Sequence, residues 1–348
     1  YILFNEFDTG NENTGFRLPS FGDGQNPATS FDIYMVFNDK VFDNVTGLLK
    51  FDLFNTDGIL GDKFLVNGKI QPVLHVSPRR YRFRWLNTGP SRFYQHFLLG
   101  PNNSTKSFWQ ISTDGNLLER PVQVNSSRIS VAERVDVIVD FTADAGKTFY
   151  IENRLEQEDG RGPTGNVLGA GQGNKILKIV VDGPVVPDNS VNPATIPAGT
   201  YFYGFPNTTD APRITRTFRF ERGNGQWQIN GQLVGGCNQA PRFAIKRNTV
   251  EKWVFQNNSG GWQHPIHMHF EEFQTLSING NAPSGTGLIT RGRKDVFRLE
   301  HNMEAKVYFR FRDFVGRFPL HCHNVVHEDH AMMLLGVIND VGDNKTQP

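Results

Sequence analysis

The sequence predicts an all-β protein built as two Greek-key β-sandwiches in tandem, preceded by an irregular N-terminal tail. Apolar and polar residues alternate with period two along most of the chain, and no 3.6-residue apolar stripe persists beyond about ten positions. Asn-Gly, Gly-Gly and Asn-Ser turns separate the runs, which is the punctuation of a sandwich or Greek-key barrel.

In chain order, residues 1–24 form the tail and 25–184 the first sandwich. Strands are predicted at 31–37, 81–85, 149–153 and 176–181. Between 128 and 141, Val135, Val137, Val139 and Phe141 share one face while Asp136 and Asp140 share the other, as a half-buried strand requires. A glycine-rich stretch, 160–174, lacks a following Gly-Lys-Ser/Thr and a helix pattern, so it reads as a surface loop and not as a nucleotide cradle. Gly183-Pro184 and then Pro187, Pro193 and Pro197 mark an extended connection. The second sandwich, 185–348, carries the pairs Phe218 and Phe220, Trp227 and Ile229, Trp253 and Phe255, Phe297 and Leu299, and the run Val307, Phe309, Phe311.

At 348 residues the chain is long enough for two or three well-buried cores. No stretch approaches the roughly 18 apolar residues of a membrane helix, and the mean hydropathy is negative. A soluble protein without membrane attachment is expected. A formal charge of +1 with no like-charge block supplies no field for nucleic acid. Small neutral or mildly charged ligands are easier to accommodate.

Two cysteines, Cys237 and Cys322, make no disulfide framework. Asn44, Asn102, Asn103, Asn125, Asn207, Asn257 and Asn344 each open an Asn-x-Ser/Thr triplet, which favours a secreted, extracellular glycoprotein. The chain opens on Tyr1 with no initiator methionine, as expected of a processed product or a fragment.

Seven of the ten histidines lie in two clusters, 264–269 and 321–330. His75, His96 and His301 stand alone and read as satisfied core or surface residues. Cys322, His327 and Met332 follow the spacing Cys-x4-His-x4-Met, which with a second imidazole from an earlier strand suits a trigonal His2Cys copper site with a weak axial methionine. His264 is the supplier. Zinc is the rival, but structural zinc sites use paired or multiple thiolates and this pattern offers one. Strand alternation points His321 and His323 away from Cys322, so a second metal centre lies on the opposite face, with His267 and His269 as a matching pair. Electrons taken at the copper beside Cys322 then have a short covalent route into His321 and His323.

His264-Pro265-Ile266-His267-Met268-His269 and the run from His321-Cys322-His323 through His327-Glu328 to Met332 resemble the third and fourth copper motifs of the multicopper oxidases. The wording is nearest the bilirubin-oxidase-like and laccase-like branch, and 79–86 and 132–137 resemble its second domain. The resemblance implies tandem cupredoxin-like sandwiches, corresponding to the family's second and third domains. It makes His264, Cys322, His327 and Met332 the type 1 copper ligands, His267 a type 2 ligand, and His269, His321 and His323 type 3 ligands. Trp262 would sit where reductants arrive, and Glu328 resembles a carboxylate that moves protons to oxygen. Met332 as axial ligand implies a moderate potential.

The family's trinuclear cluster takes four His-x-His pairs, and this sequence has two. The tail resembles the strand that ends the family's first domain. Either the sequence is a truncated piece or, the favoured expectation, a second polypeptide supplies this domain and four more imidazoles, with Cys237 disulfide-linked to it rather than a buried free thiol. Function on this reading is a four-copper oxidase that takes electrons from phenolic or related aromatic substrates and reduces dioxygen to water. Bilirubin oxidase proper, a one-copper electron carrier and a non-catalytic copper glycoprotein are the alternatives.

Overall fold

The computed structural model describes residues 8–21, 29–52, 54–196, 207–236, 238–269, 271–284 and 287–348. Tyr1 to Leu3 and Cys237, and with them the expectations about the end of a preceding domain and a disulfide, lie outside the described residues. Two compact units emerge, one from 1–50, 60–157 and 163–204, the other from 51–59, 158–162 and 205–348.

The first unit holds an eight-stranded and a six-stranded sheet. The alternation predicted around Val135 is observed in the strand Arg134–Asp140: Val135, Val137 and Val139 enter a core with Phe37, Phe83, Trp85 and Ile151. Asp136 lies on the opposite face, yet it is buried because that face is covered. Arg82 pairs with Asp136 at 2.5 Å and with Asp8 at 2.8 Å, Arg84 with Asp32 at 2.6 Å, and Arg79 with Glu12. Phe16, Leu18, Ile111, Ile138 and Ile196 form a small apolar cluster on the same side. Residues 185–196, expected at the head of the second sandwich, therefore cluster with the first, where Asp188 and Ser190 receive Arg80.

The second unit is a sandwich of two five-stranded sheets. One contains Ile214–Gly223, Thr249–Asn257 and Glu304–Phe311; the other contains His264–Met268, Gly316–Cys322 and Met333–Asn339. Trp253 sits at its centre, 4.7 Å from the Phe218 ring and 4.5 Å from Phe309, with its indole N–H donated to Glu251 at 2.8 Å. Among the described residues there are two α-helices, Gly287–Arg291 and Val325–Asp329, and no helix is long and apolar enough to cross a membrane.

Candidate metal centre

Antiparallel pairing of His264–Met268 with Gly316–Cys322 sets Ile266 opposite Cys322 and His267 opposite His321. Because neighbours on a strand face opposite ways, this register sorts the side chains into two sets. Cys322 joins Ile266 in the apolar core, while His267 and His321 stand on the other face.

On the core side, Cys322 Sγ lies 3.6 Å from His264 Nδ1 and 3.6 Å from His327 Nδ1, and the two Nδ1 atoms are 3.1 Å apart. All three residues are fully buried. The orientation of each ring has a visible cause. Ser259 Oγ gives its proton to Asn257 Oδ1 at 2.6 Å and so accepts Nε2–H of His264 at 2.9 Å. His327 donates Nε2–H to the Asp57 carbonyl at 3.0 Å. Both imidazoles thus keep a lone pair on Nδ1, directed with the sulfur at one point.

Met332 is fully buried beside them. Its carbonyl accepts from Cys322 N at 3.2 Å and its N–H is donated to His327 O at 3.0 Å. The preceding Ala331 has φ 79°, a left-handed conformation that turns the chain into this position. Burial lowers His264 to a pKa of about 3 and drives His327 well below its usual range, the latter aided by the charges of His264 and Arg222. Burial pushes the Cys322 thiol up. Two neutral imidazoles and a buried thiol form a site that a soft cation completes, since the ion holds the thiolate. Spacings of 3.1 to 3.6 Å between ligand atoms fit bonds of about 2.0 to 2.3 Å to one ion.

On the opposite face, His269 Nε2 and His321 Nε2 are 3.1 Å apart, and the His267 ring lies 4.6 Å from His269 and 5.1 Å from His323. His267 donates Nδ1–H to Asp295 O at 2.7 Å. Glu328 places its carboxylate 3.3 Å from His321 Nδ1 and 3.9 Å from His323 Nδ1. The helix Val325–Asp329 carries both Glu328 and His327, capped by the Asn324 side chain accepting from Val326 N at 3.2 Å. His267, His269 and His321 form one possible metal group; His321, His323 and Glu328 form another. Burial, and then the charges of His267 and His321, lower His269 to about 4, leaving it neutral and ready to bind metal.

Seven of the eight expected ligands therefore gather in groups on the two faces of this strand pair, with Glu328 in the second group, Met332 buried in the same core as Cys322, and Trp262 against Trp227. Sequence reasoning missed what surrounds the first site. Trp227, read as strand core, lies tilted 3.9 Å from the His327 ring and edge-on 5.3 Å from the half-buried Trp262. Asp57, Ser259 and Asn324 also went unnoticed, for loop residues carry no periodic signal. His96 departs from the expectation of a satisfied residue: it is fully buried, and neither ring nitrogen has a partner among the described residues. His75 pairs with Asp182 at 2.9 Å and His301 is exposed. Of the seven triplet asparagines six are exposed, but Asn257 is buried and spends its amide on the carbonyls of Trp262 at 2.6 Å, Glu300 at 3.0 Å and Leu299 at 3.3 Å. It carries no glycan in this fold. Asn87 makes the same corner in the first unit, donating to Arg92 O at 2.7 Å and Ile129 O at 3.4 Å.

Two family models, both described as multicopper oxidase, match residues 34–172 and 207–341. The chain is 34% identical to the bilirubin oxidase of Albifimbria verrucaria over 91% of its own length and 55% of the relative's. It is 31% identical to a laccase of Haloferax volcanii over 91% of this chain and 54% of that protein. The chain spans about half the length of these curated relatives. Among solved structures, McoA multicopper oxidase from Aquifex aeolicus matches with a TM-score of 0.76 at 24% identity, over 89% of this chain and 66% of that one, and so shares the fold. With a buried His2Cys set, a facing group of imidazoles and two matching sandwich domains, the chain belongs to the multicopper oxidase family.

Proposed function

We propose that this chain is the electron-accepting part of a laccase-like oxidase that takes electrons from phenolic or related aromatic reductants and delivers them to dioxygen. One observation carries the reading: Cys322 belongs to the three-ligand group on one face of its strand, while its neighbours His321 and His323 belong to the imidazole groups on the other. When bound, copper supplies one-electron chemistry at the first group and reduction of dioxygen to water at the second. His264, Cys322, His327 and Met332 would hold type 1 copper; His267 would hold type 2 copper; His269, His321 and His323 would serve the type 3 pair. The peptide bonds on either side of Cys322 join the groups. Trp262 offers a flat, half-buried contact for an aromatic reductant, and Glu328, 3.3 Å from His321 Nδ1, sets a carboxylate at the edge of the oxygen-reducing face, where it would relay protons.

Two His-x-His pairs serve here a cluster that takes four, so the reading places four further imidazoles on a first domain carried by a second polypeptide. A covalent link through Cys237 belongs to the same reading. Six exposed triplet asparagines support a secreted glycoprotein. Mass spectrometry of every polypeptide in the native preparation, with copper analysis and oxygen uptake on a phenol, tests the proposal. Four coppers per assembly with water as product support it; a single copper and no oxygen uptake would leave an electron carrier. Unchanged migration without reductant would remove the Cys237 link. Faster turnover of bilirubin than of simple phenols would make the protein a bilirubin oxidase.

A further inference from the structure

Two short segments, 51–59 and 158–162, fold as part of the second unit and cross beside His327. They touch through glycines. A Cβ on Gly58, whose φ is 135°, would lie 2.6 Å from Gly160 O and 2.9 Å from Asn324 Nδ2, and one on Gly160 would run into the Gly58 backbone. Only hydrogen fits at both positions. This crossing gives Gly160, from the glycine-rich loop, a structural task that its sequence did not disclose.

The strap presents Asp57, whose polar ends point to different partners. Its carbonyl accepts Nε2–H of His327 at 3.0 Å. Its carboxylate receives Arg222 at 3.1 Å and Arg161 at 3.5 Å. Those two guanidinium groups lie 4.9 Å and 4.6 Å from the Trp262 ring, and Arg222 also lies 4.9 Å from Trp227. Thr56, the neighbouring strap residue, accepts the Trp227 indole N–H at 2.7 Å. One residue therefore fixes an imidazole with its backbone and neutralises two nearby cations with its side chain.

We propose that Asp57 is a positioning residue of the type 1 site, orienting His327 through its carbonyl and lowering the site's midpoint potential by offsetting Arg222 and Arg161. The inference rests on the copper reading of His264, Cys322 and His327 given above. An oxidised site carries one more positive charge than a reduced one, so a neighbouring anion favours the oxidised form and a neighbouring cation the reduced form. His327 and Trp227 are fully buried, and charge acts further through such packing than through water. The competing view is that these are partly exposed ion pairs with no consequence.

Spectroelectrochemical titration of the visible band in the copper-loaded full chain separates the two. Asp57→Asn should raise the midpoint potential and Arg222→Gln should lower it, both at the parent's copper content. A purely structural role gives no such opposed pair. Gly160→Ala, which pushes the strap off His327, should shift the copper hyperfine pattern in electron paramagnetic resonance. Potentials that stay at the parent value, or move together in one direction, would overturn the proposal. Should Asp57→Asn fail to fold or to load copper, Arg222→Gln decides alone: a fall supports the proposal, and no change or a rise overturns it. A parent chain without a visible band would instead refute the copper reading itself.

Discussion

Replacing His96 with leucine should flatten the acid sensitivity of the first unit. The His96 ring is fully buried, 4.3 Å from the Phe37 ring, 5.1 Å from Tyr94 and 5.2 Å from Trp85. With no partner for either nitrogen among the described residues, burial lowers its pKa from 6.5 to about 3. Above pH 6.5 the ring is neutral whether folded or not, and it adds no pH dependence. Below 6.5 the unfolded chain takes up a proton that folded His96 refuses, so stability falls with pH down to about 3. The slope is about 1.4 kcal/mol per pH unit, or about 2 kcal/mol between pH 6.5 and 5. At pH 7 the variant should differ little, since relief of an orphaned imidazole, about 1 to 3 kcal/mol, opposes the loss of aromatic contacts, about 0.5 to 1.5 kcal/mol per pair. Urea unfolding of parent and His96→Leu at pH 7, 6 and 5 measures the difference directly. Parallel pH dependences in the two proteins would show that His96 is not the buried neutral base described here.

Cys322→Ser should abolish the intense visible band and lower copper by one equivalent per chain, measured by absorption and elemental analysis. Glu328→Ala, which leaves Nδ1 of His321 and His323 without their carboxylate, should weaken metal binding at the imidazole face about 10- to 100-fold, read by competitive chelation. Arg216 is fully buried against Glu251 at 2.7 Å and Asp343 at 2.8 Å. Arg216→Ala, which takes from buried Glu251 its bidentate cation, should therefore destabilise the second unit by about 3 to 5 kcal/mol, read by thermal melting. When the protein is expressed through a compartment that attaches N-glycans, glycopeptide mapping should find Asn257 unmodified whatever the state of Asn44 or Asn344.

The parts of this protein that the sequence discloses are those governed by a period or a spacing. Val135, Val137 and Val139 announce their strand because burial on one face demands every second position, and Cys322, His327 and Met332 announce a metal because few other constraints place those three types so. The covered face of the first sandwich was not legible. Asp136 looks like a solvent-facing residue until Arg82 and Asp8, distant in sequence, close over it. Asp57 was hidden for a similar reason: its role comes from a crossing of two loops, and only the absence of side chains at Gly58 and Gly160 marks the place. Trp227 was legible as core and not as a neighbour of His327, because alternation tells which face a residue takes and not what waits there.

The Asn257 corner also imposes an order of events on the newborn chain. In a compartment that attaches N-glycans, Asn257-Asn258-Ser259 is an acceptor for as long as its amide is free, before the strands have paired. A sugar joined there would leave the carbonyls of Trp262, Leu299 and Glu300 without their donor and would crowd Ser259, the hydroxyl that orients His264. Closure of one turn must outrun the modifying enzyme. In such a compartment the yield of molecules able to take copper is decided during synthesis, by a race at one amide nitrogen.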